Sequence, residues 1–317
     1  MKLKFTGHDT FPLRYGWLFK ATNLLFRKEN KEKTADENAR DAIVNLGVGR
    51  NMVNAIKYWA ESSCVLESTS FAGRTIQQLT PLGRFLFSTQ DGEQSGVDPY
   101  LEDIGSIWLI HFHMNFCDEA LTSYRYFFNH CNFQQFEKGK LVDEVYSAAT
   151  ALTGQEPGKK STVKKDVDCF LHTYTKKARS NKAVDEDHFA SPLAELGLIR
   201  EVSAGYLVSE LGFRKSLPTK IFSYALCKFI QRETENSNVS SIDFDSILSK
   251  PGSPGRIFRM SEQGLANALN DAAKDSNNRI AWTDSLGLRQ IIISDKFKNE
   301  PEEYLLQEYY GGSCAYY

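Results

Sequence analysis

The chain has 317 residues, which predicts about two domains. It carries 38 basic and 40 acidic residues for a net charge of −2, with 25% charged and 41% hydrophobic residues, which excludes a disordered tail and a histone-like basic protein. Nucleic-acid binding stays open, because phosphate affinity follows where positive charge sits and not the total.

The charge is segregated. Residues 1–60 carry 11 basic and 6 acidic side chains; residues 85–124 carry no Lys or Arg and seven acids; residues 156–182 carry 8 basic against 3 acidic. No window holds the roughly 18 apolar residues of a membrane span, and the N-terminus has no apolar signal-peptide core, so a cytoplasmic protein with no membrane partner is expected. The six cysteines form no CxxC pair and read as scattered buried thiols.

In chain order, Ala35 to Asn45 reads as a helix with Ala39, Ala42, Ile43 and Leu46 on one side. LGVG (Leu46–Gly49) breaks it. A second helix follows over about Arg50 to Glu61, with Met52, Ile56 and Trp59 as its apolar stripe beside Val53 and Ala60. Helix, glycine turn, helix is the helix-turn-helix layout. TSFAGRTIQQLTPLGRFLF then predicts a wing and a further helix, completing a winged helix over about 30–90.

Asp98-Pro99 predicts an N-cap and first turn, leading into an apolar core helix through IWLIHFHMNF. TGQEPGKKS at 153–161 marks a boundary, and STVKKDVDCFLHTY starts the next helix with Ser161 or Thr162 as cap. SPLAELGLIREVSAGYLVSE reads as a short helix and a hairpin. Helices are expected over 218–232, 240–249 and Ser261–Asp271, then a two-armed ribbon in IAWTDSLGLRQIII. The fold class is mainly α-helical with minor β-structure. An N-terminal helical domain spans 1–153, a C-terminal helical domain spans 161–300, and each carries a winged helix-turn-helix-like unit.

The sharpest DNA-reading candidate is the helix after LGVG. Its polar side carries Arg50, Asn51, Asn54 and Lys57, and Arg and Asn make bidentate contacts to base edges while Arg and Lys hold phosphates. An ordinary solvated face is the alternative. Arg74 and Arg84 are expected to touch the DNA backbone from the adjoining wing and helix, and Arg14 is a further DNA-binding candidate. A second basic cluster is Lys159, Lys160, Lys164 and Lys165, followed by Lys176, Lys177 and Arg179. Arg256 and Arg259 beside PGSPG form a third. GQEPGKKS departs from a phosphate-binding loop by an extra Lys and lacks a preceding strand, so nucleotide hydrolysis is not expected.

Asp98, Glu102 and Asp103 are the candidate catalytic and metal-ligating carboxylates. They suit a hard divalent cation, Mg²⁺ or Mn²⁺, for phosphodiester hydrolysis; capping and dipole compensation are the alternative. His111 and His113 point apart on a helix and read as core histidines. His8, Asp9 and Arg14 form a dense polar cluster in which His8 needs a carboxylate from elsewhere for acid–base work.

GHDTFPLRYGWLFKA (7–21), LGVGRNMVNAIKYW (46–59), DPYLEDIGSIWLIHF (98–112), STVKKDVDCFLHTY (161–174) and SPLAELGLI (191–199) together resemble a conserved family of unknown function. Its genes occur beside DNA phosphorothioation genes, and it is similar to the DNA-nicking B component of single-strand phosphorothioation systems. The resemblance covers about 5–293. It implies a DNA-binding protein of an anti-phage system, a metal-dependent strand-nicking activity, and partnership with duplex DNA, an ATPase and sulfur-transfer enzymes. The alternatives are a non-enzymatic DNA-binding adaptor and a transcriptional regulator.

Overall fold

The computed structural model describes residues 2–26, 43–71, 74–90, 93–94, 96–117, 120–176, 191–235, 241–276, 280–285, 288–293 and 303–311. The chain divides into two compact units. One comprises Met1–Tyr124 and Gln135–Val208, the other Arg125–Gln134 and Ser209–Ala315. The polar break at 153–161 falls inside the first unit, between two of its helices.

In the first unit, β1 (Lys2–Leu3) leads through an extended segment to α1 (Trp17–Phe26). The helix expected from Ala35 lies outside the described residues as far as 42; residues 43–46 are helical. Gly47, at φ +63, ends that turn and donates its N–H to Ile43 O, as a left-handed residue after a helix does. Gly49 then serves as N-cap of α2 (Arg50–Ser62). Of the expected stripe, Ile56 and Trp59 are buried with Val53 and Ala60 beside them, while Met52 is half-buried at the edge, and α2 packs on α1. β2 (Leu66–Phe71) and β3 (Arg74–Leu79) pair antiparallel from Leu66↔Leu79 to Phe71↔Arg74. Thr80 caps α3 (Pro81–Phe87) by accepting the Gly83 N–H, with Pro81 in the first turn.

The core helix of this unit, α4 (Ile104–Phe116), is buried on every side from Gly105 to Asn115, as its apolar residues on all faces require. It begins at Ile104 with Asp103 as cap, later than the Asp98-Pro99 start expected from sequence. The intervening backbone folds onto Asp98 instead, and Leu101 takes φ +56 there. β4 (Ala120–Leu121) pairs in parallel with β1. The chain then enters α5 (Ser123–Asn129), whose residues from Arg125 belong to the second unit, and returns with β5 (Gln135–Glu137), α6 (Lys138–Thr153) and α7 (Lys160–Tyr174), with α6 packed on α7. Lys159, not Ser161 or Thr162, is the N-cap residue of α7. A 3-10 turn at Pro192–Leu196 packs on α4 and α7. The hairpin β6 (Arg200–Ser203) and β7 (Tyr206–Val208) joins β5 in a sheet of order β5-β7-β6.

The second unit is built on α8 (Thr219–Thr234), against which α11 (Glu262–Asp275) and α12 (Glu303–Tyr310) pack. Between them lie β8 (Ser241–Asp243), α9 (Phe244–Ser249) and α10 (Pro254–Ile257). β9 (Ile280–Ser285) and β10 (Leu288–Ile293) follow α11, giving a sheet of order β8-β10-β9. Asp243, Ser253 and Ser261 each accept a backbone N–H three residues on and start α9, α10 and α11. Among the described residues no helix is long and apolar enough to cross a membrane.

Candidate functional site

The exposed side of α2 carries the polar residues singled out from sequence. Arg50, Asn51 and Asn54 are exposed and Lys57 is half-buried, while the opposite side is anchored by Val53, Ile56 and Trp59. The Trp59 indole N–H donates to Phe11 O at 2.9 Å, tying the helix to the N-terminal segment. One wall of this face is the loop Gly7–Thr10. Gly7, Asp9 and Thr10 all have positive φ, at 115°, 46° and 64°. For Asp9 and Thr10 this conformation costs on the order of 1–3 kcal/mol each. Asn54 Nδ2 donates to Asp9 Oδ2 at 3.2 Å, so an acid lies within the basic face.

The loop is held from beneath by His8. Thr10 N–H donates to His8 Nδ1 at 3.0 Å, which puts the ring proton on Nε2, and Nε2 faces Asp166 Oδ1 at 3.0 Å. The other Asp166 oxygen accepts from the Ser123 N–H and hydroxyl, at 2.8 and 2.5 Å. The carboxylate partner that His8 lacks in its own sequence neighbourhood is therefore Asp166 on α7. The carboxylate, not the imidazole, receives the serine hydroxyl, so the three do not make a nucleophile–base–orienter chain. The Tyr58 ring completes the cradle, edge-on to His8 at 5.4 Å.

The other predicted contacts divide by environment. The Arg14 guanidinium lies near the Phe11 and Trp17 rings, at 5.8 and 5.5 Å. Arg74 opens β3. Arg84 is exposed on α3, and Lys159, Lys160, Lys164 and Lys165 are exposed around the start of α7, where Lys160 pairs with Asp143 at 2.5 Å. Lys177 and Arg179 lie outside the described residues.

Arg256 and Arg259 are bound up in the second unit. Arg256 donates to Asn129 O and Asn132 Oδ1, at 2.9 and 2.8 Å. Arg259 is 2% exposed, and its guanidinium donates to the carbonyls of Cys131, Phe133 and Ser209. Burial, with Arg256 and Arg214 nearby, lowers its pKa to about 10, which keeps it charged at neutral pH. Burial sets Arg259 apart from the surface cations: it braces loops and offers no face to a phosphate.

The acidic segment is likewise occupied by its own backbone. Asp98 is 7% exposed; its oxygens accept from the N–H groups of Glu102 and Asp103 at 2.9 and 3.0 Å. Asp103 Oδ1 accepts from Gly105 N at 2.6 Å as the α4 cap, while Glu102 is exposed. The oxygens of Asp98, Glu102 and Asp103 do not gather into a three-ligand cluster among the described residues. Among the described residues, the trio of metal-competent groups whose ligand atoms lie within 4.8 Å of one another is Cys64, His113 and Cys117. No sequence spacing pointed to it. Cys64 and Cys117 are 53 positions apart yet joined through their sulfurs, while Cys131, Cys169 and Cys227 are outside any disulfide and buried as expected. His111 is a satisfied core histidine, its Nδ1 2.7 Å from the Tyr174 hydroxyl.

These features define a mainly helical protein that displays a polar helix face after a glycine turn. The chain belongs to the family described as "Protein of unknown function (DUF4007)", which matches residues 5–310. No curated protein gives a significant match. Among solved structures it is similar to a crystal structure of SspB, with 28% identity and a TM-score of 0.80 over 96% of this chain and 87% of that one. It is also similar to magnesium ion-bound SspB, with 29% identity and a TM-score of 0.79 over the same shares. Family and neighbours agree with the resemblance carried by the sequence motifs.

Proposed function

We propose that this chain is a DNA-binding component of a phosphorothioation defence system and that it lays the exposed face of α2 on duplex DNA. The observation that carries the reading is the α2 face itself: Arg50, Asn51, Asn54 and Lys57 on a helix whose other side is fixed in a core. The element order supports a winged-helix reading of this region, since a helical turn, a glycine break, α2, the β2–β3 hairpin and α3 succeed one another. The second unit supports the same reading, with a helix before β8, helices α9 to α11 after it, and then the ribbon β9–β10 ahead of α12. Likeness to SspB supports the defence-system context. An ATPase and sulfur-transfer enzymes are the partners this assignment implies.

The test is duplex binding as a function of salt. Replacing Arg50, Asn54 and Lys57 by alanine is expected to weaken binding and to reduce the slope of log K against log salt by about 0.9 for each lost phosphate contact. Unchanged affinity and slope would remove α2 from the interface.

Strand nicking is the second reading, favoured by the magnesium ion in one SspB structure. Because Asp98 and Asp103 bind backbone amides, this reading assigns no ligand set to the cation. Relaxation of supercoiled plasmid with Mg²⁺ or Mn²⁺, abolished by chelator, separates a nickase from a non-enzymatic adaptor.

A further inference from the structure

We propose that the reduced protein binds a zinc ion through Cys64, His113 and Cys117, at a site separate from the α2 face and of a different chemistry from a magnesium site. Two helix ends build it. Cys64 follows the C-cap of α2 and takes φ +56, an uncommon conformation for a residue with a side chain. Its backbone is fixed on both sides: its N–H donates to Glu61 O at 3.0 Å, and its carbonyl accepts the Thr80 hydroxyl at 2.5 Å. His113 and Cys117 come from the last turn and C-cap of α4. They stand four residues apart on one face, with His113 Nδ1 and Cys117 Sγ at 3.9 Å. Cys64 Sγ reaches across to the same turn, 3.7 Å from His113 O.

The chemistry selects the ion. Two thiols and an imidazole are soft to borderline donors, which suit Zn²⁺, whereas Mg²⁺ and Mn²⁺ take oxygen. The three donor atoms lie within 4.8 Å of one another, close enough that, once reduction parts the two sulfurs, all three can reach one ion at about 2.0–2.3 Å. In the oxidised chain the two sulfurs are bonded to each other; the Cα atoms of Cys64 and Cys117 are 7.1 Å apart, wide of the roughly 4.4–6.8 Å usual for bridged cysteines, so on reduction this backbone leaves room for two thiolates to part around an ion. His113 is 7% exposed and the two cysteines are half-buried, which leaves a path for entry. Binding converts two thiols to thiolates and releases two protons. Three protein ligands leave the fourth tetrahedral position to water or an incoming group.

The test uses the full chain, reduced, stripped of metal and titrated with Co²⁺ as a spectroscopic probe. Thiolate-to-cobalt charge-transfer absorption is expected to saturate at about one ion per chain and to disappear when Zn²⁺ is added. Cys64→Ser and Cys117→Ser are each expected to abolish it, and Cys131→Ser to leave it intact. A reduced wild-type chain that gives no such absorption overturns the site, as does a band that survives both substitutions. If the serine variants fail to fold, the wild-type titration alone decides.

Discussion

His8 Nε2 and Asp166 Oδ1 lie 3.0 Å apart although 158 positions separate them, and at 3% and 2% exposure neither has water as an alternative partner. Asp166 also accepts two hydrogen bonds from Ser123, so one carboxylate joins the N-terminal loop, the start of α5 and the middle of α7. Removing it strands three donors. Asp166→Ala is expected to destabilise the protein by about 3 kcal/mol, and Asp166→Asn, which still accepts at one oxygen, by less. Urea midpoints measure both. Equal midpoints for wild type and Asp166→Ala would remove the pair from the fold's support.

The loop above that pair places a sharper demand on one residue. Gly7 has φ +115, and a Cβ added there would lie 2.8 Å from Tyr58 Cδ2. Gly7→Ala combines a disfavoured backbone with a clash against a buried ring, so a loss of about 1–3 kcal/mol is expected. Because the loop walls the α2 face through Asp9 and Asn54, duplex affinity is expected to fall at temperatures where the variant is still folded. Circular dichroism and fluorescence anisotropy separate the two effects; unaltered stability would contradict the close approach.

Much of the fold was legible because local rules and tertiary packing agree. LGVG ends one helix and starts the next through Gly47 and Gly49, and Ile56 and Trp59 of the α2 stripe are buried as their spacing requires. Ser261 caps α11, and the two arms around Ser285 and Leu288 pair as a ribbon. What sequence spacing did not reveal is long-range. Asp166 reads as one more charge on an amphipathic helix until the fold brings His8 to it. Cys64 and Cys117 read as scattered thiols because their meeting depends on two helix ends distant in sequence. Asp98 was ambiguous because a carboxylate that gathers backbone N–H groups has the same local spelling as one that holds a cation, and the fold shows the first of these roles.

Arg259 was equally ambiguous, and its burial yields a separating experiment. Its guanidinium satisfies the carbonyls of Cys131, Phe133 and Ser209 and lies 5.1 Å from the Phe127 ring. Arg259→Met keeps an unbranched apolar stem and leaves those carbonyls unsatisfied, at an expected cost of about 2–4 kcal/mol. Arg50→Ala, on an exposed helix position, is expected to cost less than about 0.5 kcal/mol. On duplex affinity the order reverses: Arg50→Ala weakens binding, whereas folded Arg259→Met leaves it unchanged. A fall in affinity for folded Arg259→Met comparable to that for Arg50→Ala would make the buried arginine part of the DNA surface.

The second unit also carries a pH dependence of definite sign. His130 stacks on Tyr126, and its pKa is lowered from 6.5 first by burial and then by the charge of Arg256. The unfolded chain keeps the ordinary imidazole value of about 6.5, so between the two values it binds more protons than the folded one. Stability from this residue is therefore complete above about pH 6.5 and declines as pH falls through the lowered folded value. His130→Phe preserves the stacked ring and removes the titration. Thermal unfolding between pH 7.5 and pH 5, as values chosen to bracket roughly the imidazole range, is expected to show a smaller fall in Tm for His130→Phe than for wild type. The comparison cancels the carboxylates that titrate in both chains, so parallel profiles would show that His130 is no less basic in the folded protein than in the unfolded chain.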